Sequence, residues 1–336
     1  MGRTPTMKDV ARAAGVSVMT VSRAFKRDAS VGEATRVRIR TAADDLGYVF
    51  DSTAANLRSQ RSHFVAVTIP SLGNANFADT VEAMTARLSQ AGYQVLLGHT
   101  NYDTAREEEL IEGFLSRRPE AIVVTGGAHT PRTRRLLSRA GVPVIETWDL
   151  PDDPIGHVVG FSNAAAVDLL VDHLTGLGHR RIAFIGGDAA VDTRGSDRRR
   201  GFVAAMAARG LDATRLIDAG RPPITMHGGA AAMARLLDTR PETDAVICVS
   251  DPSAFGALTE CQRRGVAVPS DMAIAGFGAY DIADVSVPTL TTVDPCPAQI
   301  GARAAALVLD LLDRPDAPRC ERITPSLRVG QSTAGA

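Results

Sequence analysis

From His63 onward the chain alternates short apolar runs with longer stretches of helical periodicity, and this alternation restricts the available folds more than any other feature. Seven runs read as buried parallel strands: 64–69, 93–97, 121–124, 142–145, 181–185, 245–249 and 272–275. They are almost continuously apolar, as a strand covered on both faces must be. Helical stretches fall between them near 77–91, 105–117, 131–140, 163–177, 197–210, 229–238, 251–264 and 297–313. Parallel strands need crossover connections, so strand–helix alternation of this length predicts doubly wound α/β sheets. There are too many units for one sheet, which predicts two similar lobes. In such folds a ligand sits outside the carboxyl ends of the strands, here in a cleft between lobes.

The first 62 residues obey a different pattern. Met7 to Ala14 is a run of good helix formers with Val10 and Ala14 on one face, and Gly15 supplies the left-handed stop. Ser17 is placed to cap a second helix by accepting a backbone N–H at Met19 or Thr20, with Val16 and Val21 as a hydrophobic staple. If Val21 and Phe25 face inward, Val18, Met19, Ser22 and Arg23 face out. Apolar side chains beside a hydroxyl and an arginine suit a DNA major groove, where methyl contacts and an arginine–guanine pair carry sequence information. A small hairpin packed on something larger is the plainer alternative. A third helix over 33–46, with Ile39, Ala43 and Leu46 on one face, closes the core before Gly47. The Ala-rich segment after Tyr48 is too short for a stable helix by itself. Leu57 on it is a candidate minor-groove wedge, or else packs on the following domain.

Charge separates the two parts. Residues 1–62 hold 11 Lys and Arg against 6 Asp and Glu, and the remainder holds 26 against 32. A basic head on an acidic body is the distribution expected of a nucleic-acid-binding end attached to a separate domain. No apolar run approaches a membrane span, and no apolar signal segment opens the chain. The four cysteines, Cys248, Cys261, Cys296 and Cys320, fall at no metal-ligand spacing and read as reduced, mostly buried thiols. A soluble cytoplasmic protein without cofactor or metal is expected. No phosphate loop or nucleophile elbow occurs, and His129, His157 and His179 are scattered without an ordered partner, so an enzyme is not expected.

Several short motifs, in order, carry a family resemblance. They are Asp9-Val10-Ala11, Ala14-Gly15-Val16-Ser17, Thr20-Val21-Ser22-Arg23 and Leu46-Gly47-Tyr48, then Ala54 with Leu57. Further on come Gly178 to Gly186, Arg198-Arg199-Arg200-Gly201-Phe202, Ser250-Asp251, Val268-Pro269-Ser270-Asp271 and Pro288 to Thr292. Over essentially its whole length the chain resembles the LacI/GalR family of bacterial transcription regulators. The resemblance is strongest to the gluconate-utilisation repressor subgroup, through Val18-Met19-Thr20, Pro70-Ser71-Leu72, His129 to Thr133, Glu260 to Arg263 and Asp271 to Phe277.

The resemblance implies an all-α helix–turn–helix head plus an α/β two-lobe, periplasmic-binding-protein-like core with two parallel sheets. The head would span 1–49, a hinge 50–62 and the effector-binding and dimerisation core 63–336. Lobe 1 would comprise about 63–160 and 290–318, and lobe 2 about 161–289 and 319–331. It also implies a homodimer on a palindromic operator, with Val18, Met19 and Arg23 at base edges and Thr6, Ser17, Thr20 and Lys26 on phosphates. Ser22 shares that face, and the hinge would contribute Ala54 and the wedge Leu57. For a small carbohydrate effector it implies Ser71, Asn74, Phe77, Thr125, Glu146 and Trp148 from the first lobe. The second lobe would add Phe161, Arg194, Arg198, Ser250 and Asp251.

The subgroup points to an aldonate such as gluconate or its phosphate. Arg194 and Arg198, four apart at a helix start, suit its anion, and Arg132 is a second candidate; Arg199 and Arg200 read as a solvated face. A neutral-sugar effector, a corepressor mechanism and a solute-binding protein are the competing readings. The basic head opposes the last of these. Gly278 opposes a neutral sugar, since many sugar-binding members keep a carboxylate there. Two further departures concern the hinge: Phe50-Asp51 replace the usual Pro-Asn, and Ala55 replaces an arginine.

Overall fold

The computed structural model describes residues 4–25, 31–50, 61–188 and 191–334. It forms two units, Met1–Arg61 and Ser62–Ala336. Lys26, Asp51, Ala54, Ala55 and Leu57 lie outside the described residues.

In the first unit, α1 (Met7–Ala13), α2 (Val18–Ala24) and α3 (Glu33–Leu46) enclose a small core. Val10, Ala11, Ala14, Val21, Ala24, Ile39, Ala42 and Ala43 are buried there. Gly15 and Gly47 both adopt left-handed φ, +61° and +64°, as stops after α1 and α3. Ser17 Oγ accepts the Thr20 N–H at 3.1 Å, which caps α2. Leu46, expected in the core, is instead 39% exposed. The seven-residue α1 and α2 are too short to cover the last turn of the 14-residue α3, and the half-buried Tyr48 completes the cluster.

The second unit contains a six-stranded and a four-stranded parallel sheet. The six-stranded sheet has the order β11-β5-β4-β3-β1-β2. Its strands are β1 (Phe64–Ile69), β2 (Gln94–His99), β3 (Ala121–Thr125), β4 (Val144–Thr147), β5 (His157–Gly160) and β11 (Cys320–Arg322). The other has the order β7-β6-β8-β9, from β6 (Ile182–Gly186), β7 (Leu216–Asp218), β8 (Ala245–Cys248) and β9 (Ala273–Ala275). An antiparallel pair, β10 (Thr292–Asp294) with β12 (Ser326–Arg328), accompanies the crossings of the chain between lobes. The helices are α4 (Ala75–Gln90), α5 (Thr104–Leu115), α6 (Pro131–Ser138), α7 (Asn163–Gly176), α8 (Thr193–Ala208), α9 (Met226–Thr239), α10 (Asp251–Arg263), α11 (Asp281–Val285) and α12 (Pro297–Asp313).

Packing fixes the elements that carry the cleft. α12 lies flush on α4, where a β-carbon at Gly301 would come 2.1 Å from the Thr80 carbonyl oxygen. α8 meets α7 just as closely, through Gly201 against Ala164. The lobe boundary expected at 319 is corrected: residues 320–322 pair in parallel with β5 and form the edge of the first sheet. A Cys-Glu-Arg edge strand carries no apolar run, so periodicity could not reveal it.

Candidate functional site

On the head, α2 presents the expected face. Val18 is 41% and Met19 63% exposed, Arg23 is exposed and Ser22 is half-buried. Three of the polar residues expected at phosphates also serve the fold. The Thr6 hydroxyl and N–H both donate to Asp9 Oδ2, at 2.6 and 2.9 Å, while Ser17 and Thr20 share the α2 cap. Phe50 stacks on Phe25 at 5.0 Å between ring centroids, and Phe25 meets Tyr48 edge-on.

In the second unit a cleft of about 410 Å³ opens between the lobes. The first lobe contributes Asn74, Asn76 and Phe77 from the start of α4, Tyr102 after β2 and Trp148 after β4. The second contributes Asp192, Arg194 and Arg198 at the start of α8, Ser250 capping α10, Phe277 and Tyr280 after β9, and residues 222–227 after β7. Strand ends and helix starts therefore build it, as the doubly wound topology requires.

Its chemistry centres on two arginines. The Arg198 guanidinium stacks 3.7 Å above the Phe277 ring. Its Nε donates to Asn163 Oδ1 at 3.0 Å and its Nη1 to the Val249 carbonyl at 2.9 Å. Burial pulls its pKa down to about 10, with Asp192 opposing and Arg194 reinforcing the shift. Arg194 is buried where Arg198 is half-buried, and its guanidinium carbon lies 5.4 Å from the Phe77 centroid. Among the described residues neither arginine forms an ion pair. The neighbouring carboxylate, Asp192, spends Oδ1 on the Gly195 N–H at 3.0 Å. Two desolvated cations with hydrogen-bonding capacity to spare are groups whose chemistry suits an anion. Burial raises the pKa of the Tyr102 phenol, while Arg194 and the Asn74 amide pull it down, so these three groups converge.

Of the residues expected at the effector, Asn74, Phe77, Trp148, Arg194, Arg198 and Ser250 line the cleft. The other six do not. Ser71 Oγ accepts the Gly73 N–H in the turn before α4. Thr125 donates to the Thr68 carbonyl and borders a separate space of about 40 Å³. Phe161 is buried behind the cleft, stacked on Phe277 and edge-on to Trp148. Arg132 is exposed and paired with Glu108 and Glu112 of α5. Asp251 is fully buried and takes the Thr292 hydroxyl at 2.6 Å and the Tyr280 N–H at 2.9 Å. Burial lifts its pKa to about 6 against those hydrogen bonds. Arg199, expected on a solvated face, is half-buried and donates to the Gly187 carbonyl.

Glu146 is the largest displacement. It points into the first lobe, where Oε2 accepts the Ile155 N–H at 2.6 Å and Oε1 lies 3.5 Å from His129 Nε2. His129 Nδ1 meets Glu107 Oε2 at 2.7 Å, and both side chains are buried. The three histidines therefore have partners after all, since His157 accepts the Arg319 N–H and His179 lies 3.6 Å from Asp244. Burial disfavours the imidazolium of His129, but the two carboxylates outweigh it and raise its pKa to about 9.

The sequence missed Asn76, Tyr102, Asp192, Phe277, Tyr280 and 222–227. The last follow β7, a three-residue, half-exposed strand with too little apolar signal to place what comes after it.

A two-lobe α/β core with a cleft between its lobes, joined to a helix–turn–helix unit, defines a ligand-responsive DNA-binding regulator. Comparison with known proteins makes this specific. Residues 6–51 match the model of bacterial regulatory proteins of the lacI family, and 171–333 that of the periplasmic binding protein-like domain. The HTH-type transcriptional regulator GntR of Pseudomonas aeruginosa is 38% identical, covering 92% of this chain and 89% of its own. A LacI-family transcriptional regulator from Silicibacter pomeroyi of known structure superposes with a TM-score of 0.90 at 30% identity, over 98% of this chain and 99% of its own. The transcription regulator GntR of Chromobacterium violaceum gives 0.75 at 37% identity, over 81% and 100%. The chain belongs to the LacI family of bacterial transcriptional regulators and is not an enzyme. Among the described residues no helix is long and apolar enough to cross a membrane.

Proposed function

We propose that this regulator is a cytoplasmic repressor of sugar-acid catabolism. As a homodimer it binds a palindromic operator, and an aldonate such as gluconate or its phosphate releases it. The observation that carries the effector class is the pair Arg194 and Arg198, two desolvated cations without an ion-pair partner among the described residues of the cleft. Similarity to regulators named GntR supports it. A ligand that favours one arrangement of the lobes lowers operator affinity by linkage, to the extent that it binds the two states differently.

Trp148 is the only tryptophan and lines the cleft, so its fluorescence reports binding directly. Gluconate or 6-phosphogluconate is expected to change the emission saturably, and galactose to leave it unchanged. A response to galactose alone contradicts the sugar-acid reading.

On the head, Val18, Met19 and Arg23 are proposed to read base edges, with Thr6, Ser17, Thr20 and Lys26 on phosphates. Arg23→Ala is expected to cost about 1–3 kcal/mol in operator binding and to relax specificity at one base pair. Binding to operators varied one position at a time checks this. A uniform loss across all sequences would instead assign Arg23 to the backbone.

A further inference from the structure

Tyr280 spans the cleft from the second lobe to the first. Its backbone N–H is held by Asp251 Oδ2 at 2.9 Å, and its ring fills the space left by Gly278. A β-carbon at Gly278 would lie 2.2 Å from Tyr280 Cε2 and 2.8 Å from Asn76 Nδ2, and the backbone there has φ +128°. Glycine is thus required at 278 both by its conformation and by the ring. So placed, the Tyr280 hydroxyl donates to Asn74 Oδ1 at 2.7 Å. The same oxygen accepts the Asn76 N–H at 3.1 Å as the cap of α4. An amide oxygen has two lone pairs, and both are now engaged. Turning the amide over would break the α4 cap and reverse the bond to the phenol, so the NH2 is the group that Asn74 offers to the cleft, beside Tyr102 and Arg194.

We propose that Tyr280 is a positioning residue that fixes Asn74 as a hydrogen-bond donor to the effector's carboxylate, completing an acceptor-selective subsite with Arg194 and Tyr102. The proposal rests on the sugar-acid reading of the cleft. It gives Gly278 a purpose: it admits the phenol whose hydroxyl sets the polarity of Asn74.

Gluconate and glucitol test it, because they share a six-carbon polyol chain and differ in a carboxylate against a CH2OH. Dissociation constants for both are measured by titration calorimetry on the full chain, with thermal midpoints as the control for folding. In Tyr280→Phe the ring still covers Gly278 and one neutral hydrogen bond is lost. Gluconate affinity is expected to fall about threefold to tenfold while glucitol affinity holds. Asn74→Asp keeps the α4 cap and an acceptor for Tyr280 but replaces the NH2 with anionic oxygen. It is expected to weaken gluconate by at least about 100-fold and to reverse the preference between the two ligands. Equal losses for both ligands, or no change in either variant while the wild type binds gluconate, overturn the role of Tyr280 alone. A wild type that prefers glucitol overturns both this inference and the sugar-acid reading.

Discussion

Arg198→Ala is expected to abolish release from the operator at effector concentrations that fully release the wild type, while operator binding without effector persists. This follows from the environment of the guanidinium. It is desolvated over Phe277 and anchored by Asn163 and the Val249 carbonyl, none of which carries a compensating charge. A bound carboxylate becomes its counter-charge in a medium of low effective dielectric, where such pairs are strong. Truncating one partner of a buried, hydrogen-bonded charge pair costs about 2–5 kcal/mol, roughly 30-fold to several thousand-fold in affinity. Arg198→Lys is expected to fall between, because an ammonium cannot reach Asn163, Val249 and the ligand at once. Direct titration with gluconate checks this, and an Arg198→Ala protein within about threefold of wild type would remove Arg198 from the site.

His129→Leu is expected to destabilise the core by about 3–5 kcal/mol, because it leaves Glu107 and Glu146 buried without their shared cation. For a domain of this size that lowers the thermal midpoint by roughly 5–10 °C. The cluster ties α5 and β4 to the loop before α6, so the loss falls on the first lobe. Its pH dependence has a definite sign. The folded pKa of His129, about 9, lies above the unfolded value near 6.5. The stabilisation is therefore complete below about pH 6.5 and is lost as the pH rises through about 9. Wild-type melting temperatures at pH 6, 7.5 and 9.5 should show that decline, and the variant should lack this component. A variant that melts with the wild type at pH 6 would show that the carboxylates do not need the imidazolium.

The residues that were legible in the sequence and those that were not differ physically. Gly15, Ser17 and Gly47 announce the head because caps and stops depend on local backbone geometry. The apolar runs of β1, β3 and β8 announce the sheets because central parallel strands are buried on both faces. Arg194 and Arg198 could be found from their i,i+4 spacing at a helix start. Glu146 could not be placed, since residues 146 and 148 would share one face of a continuing strand; β4 instead ends at Thr147, Trp148 takes a left-handed φ of +70° and lines the cleft, and Glu146 points to His129. Asp251 was misplaced for a related reason: it adjoins the cleft-lining Ser250, but its carboxylate turns inward to Thr292 and Tyr280. Tyr280 and Asn74 are 206 residues apart, and no local pattern joins them.

The central claim is tested most directly by anisotropy of a labelled operator fragment, taken upstream of the adjacent genes and bound by the full chain. Gluconate, 6-phosphogluconate and galactose are titrated into the complex. Release by an aldonate and not by galactose is the predicted result. Release by galactose alone, or tighter binding in the presence of the aldonate, would contradict it.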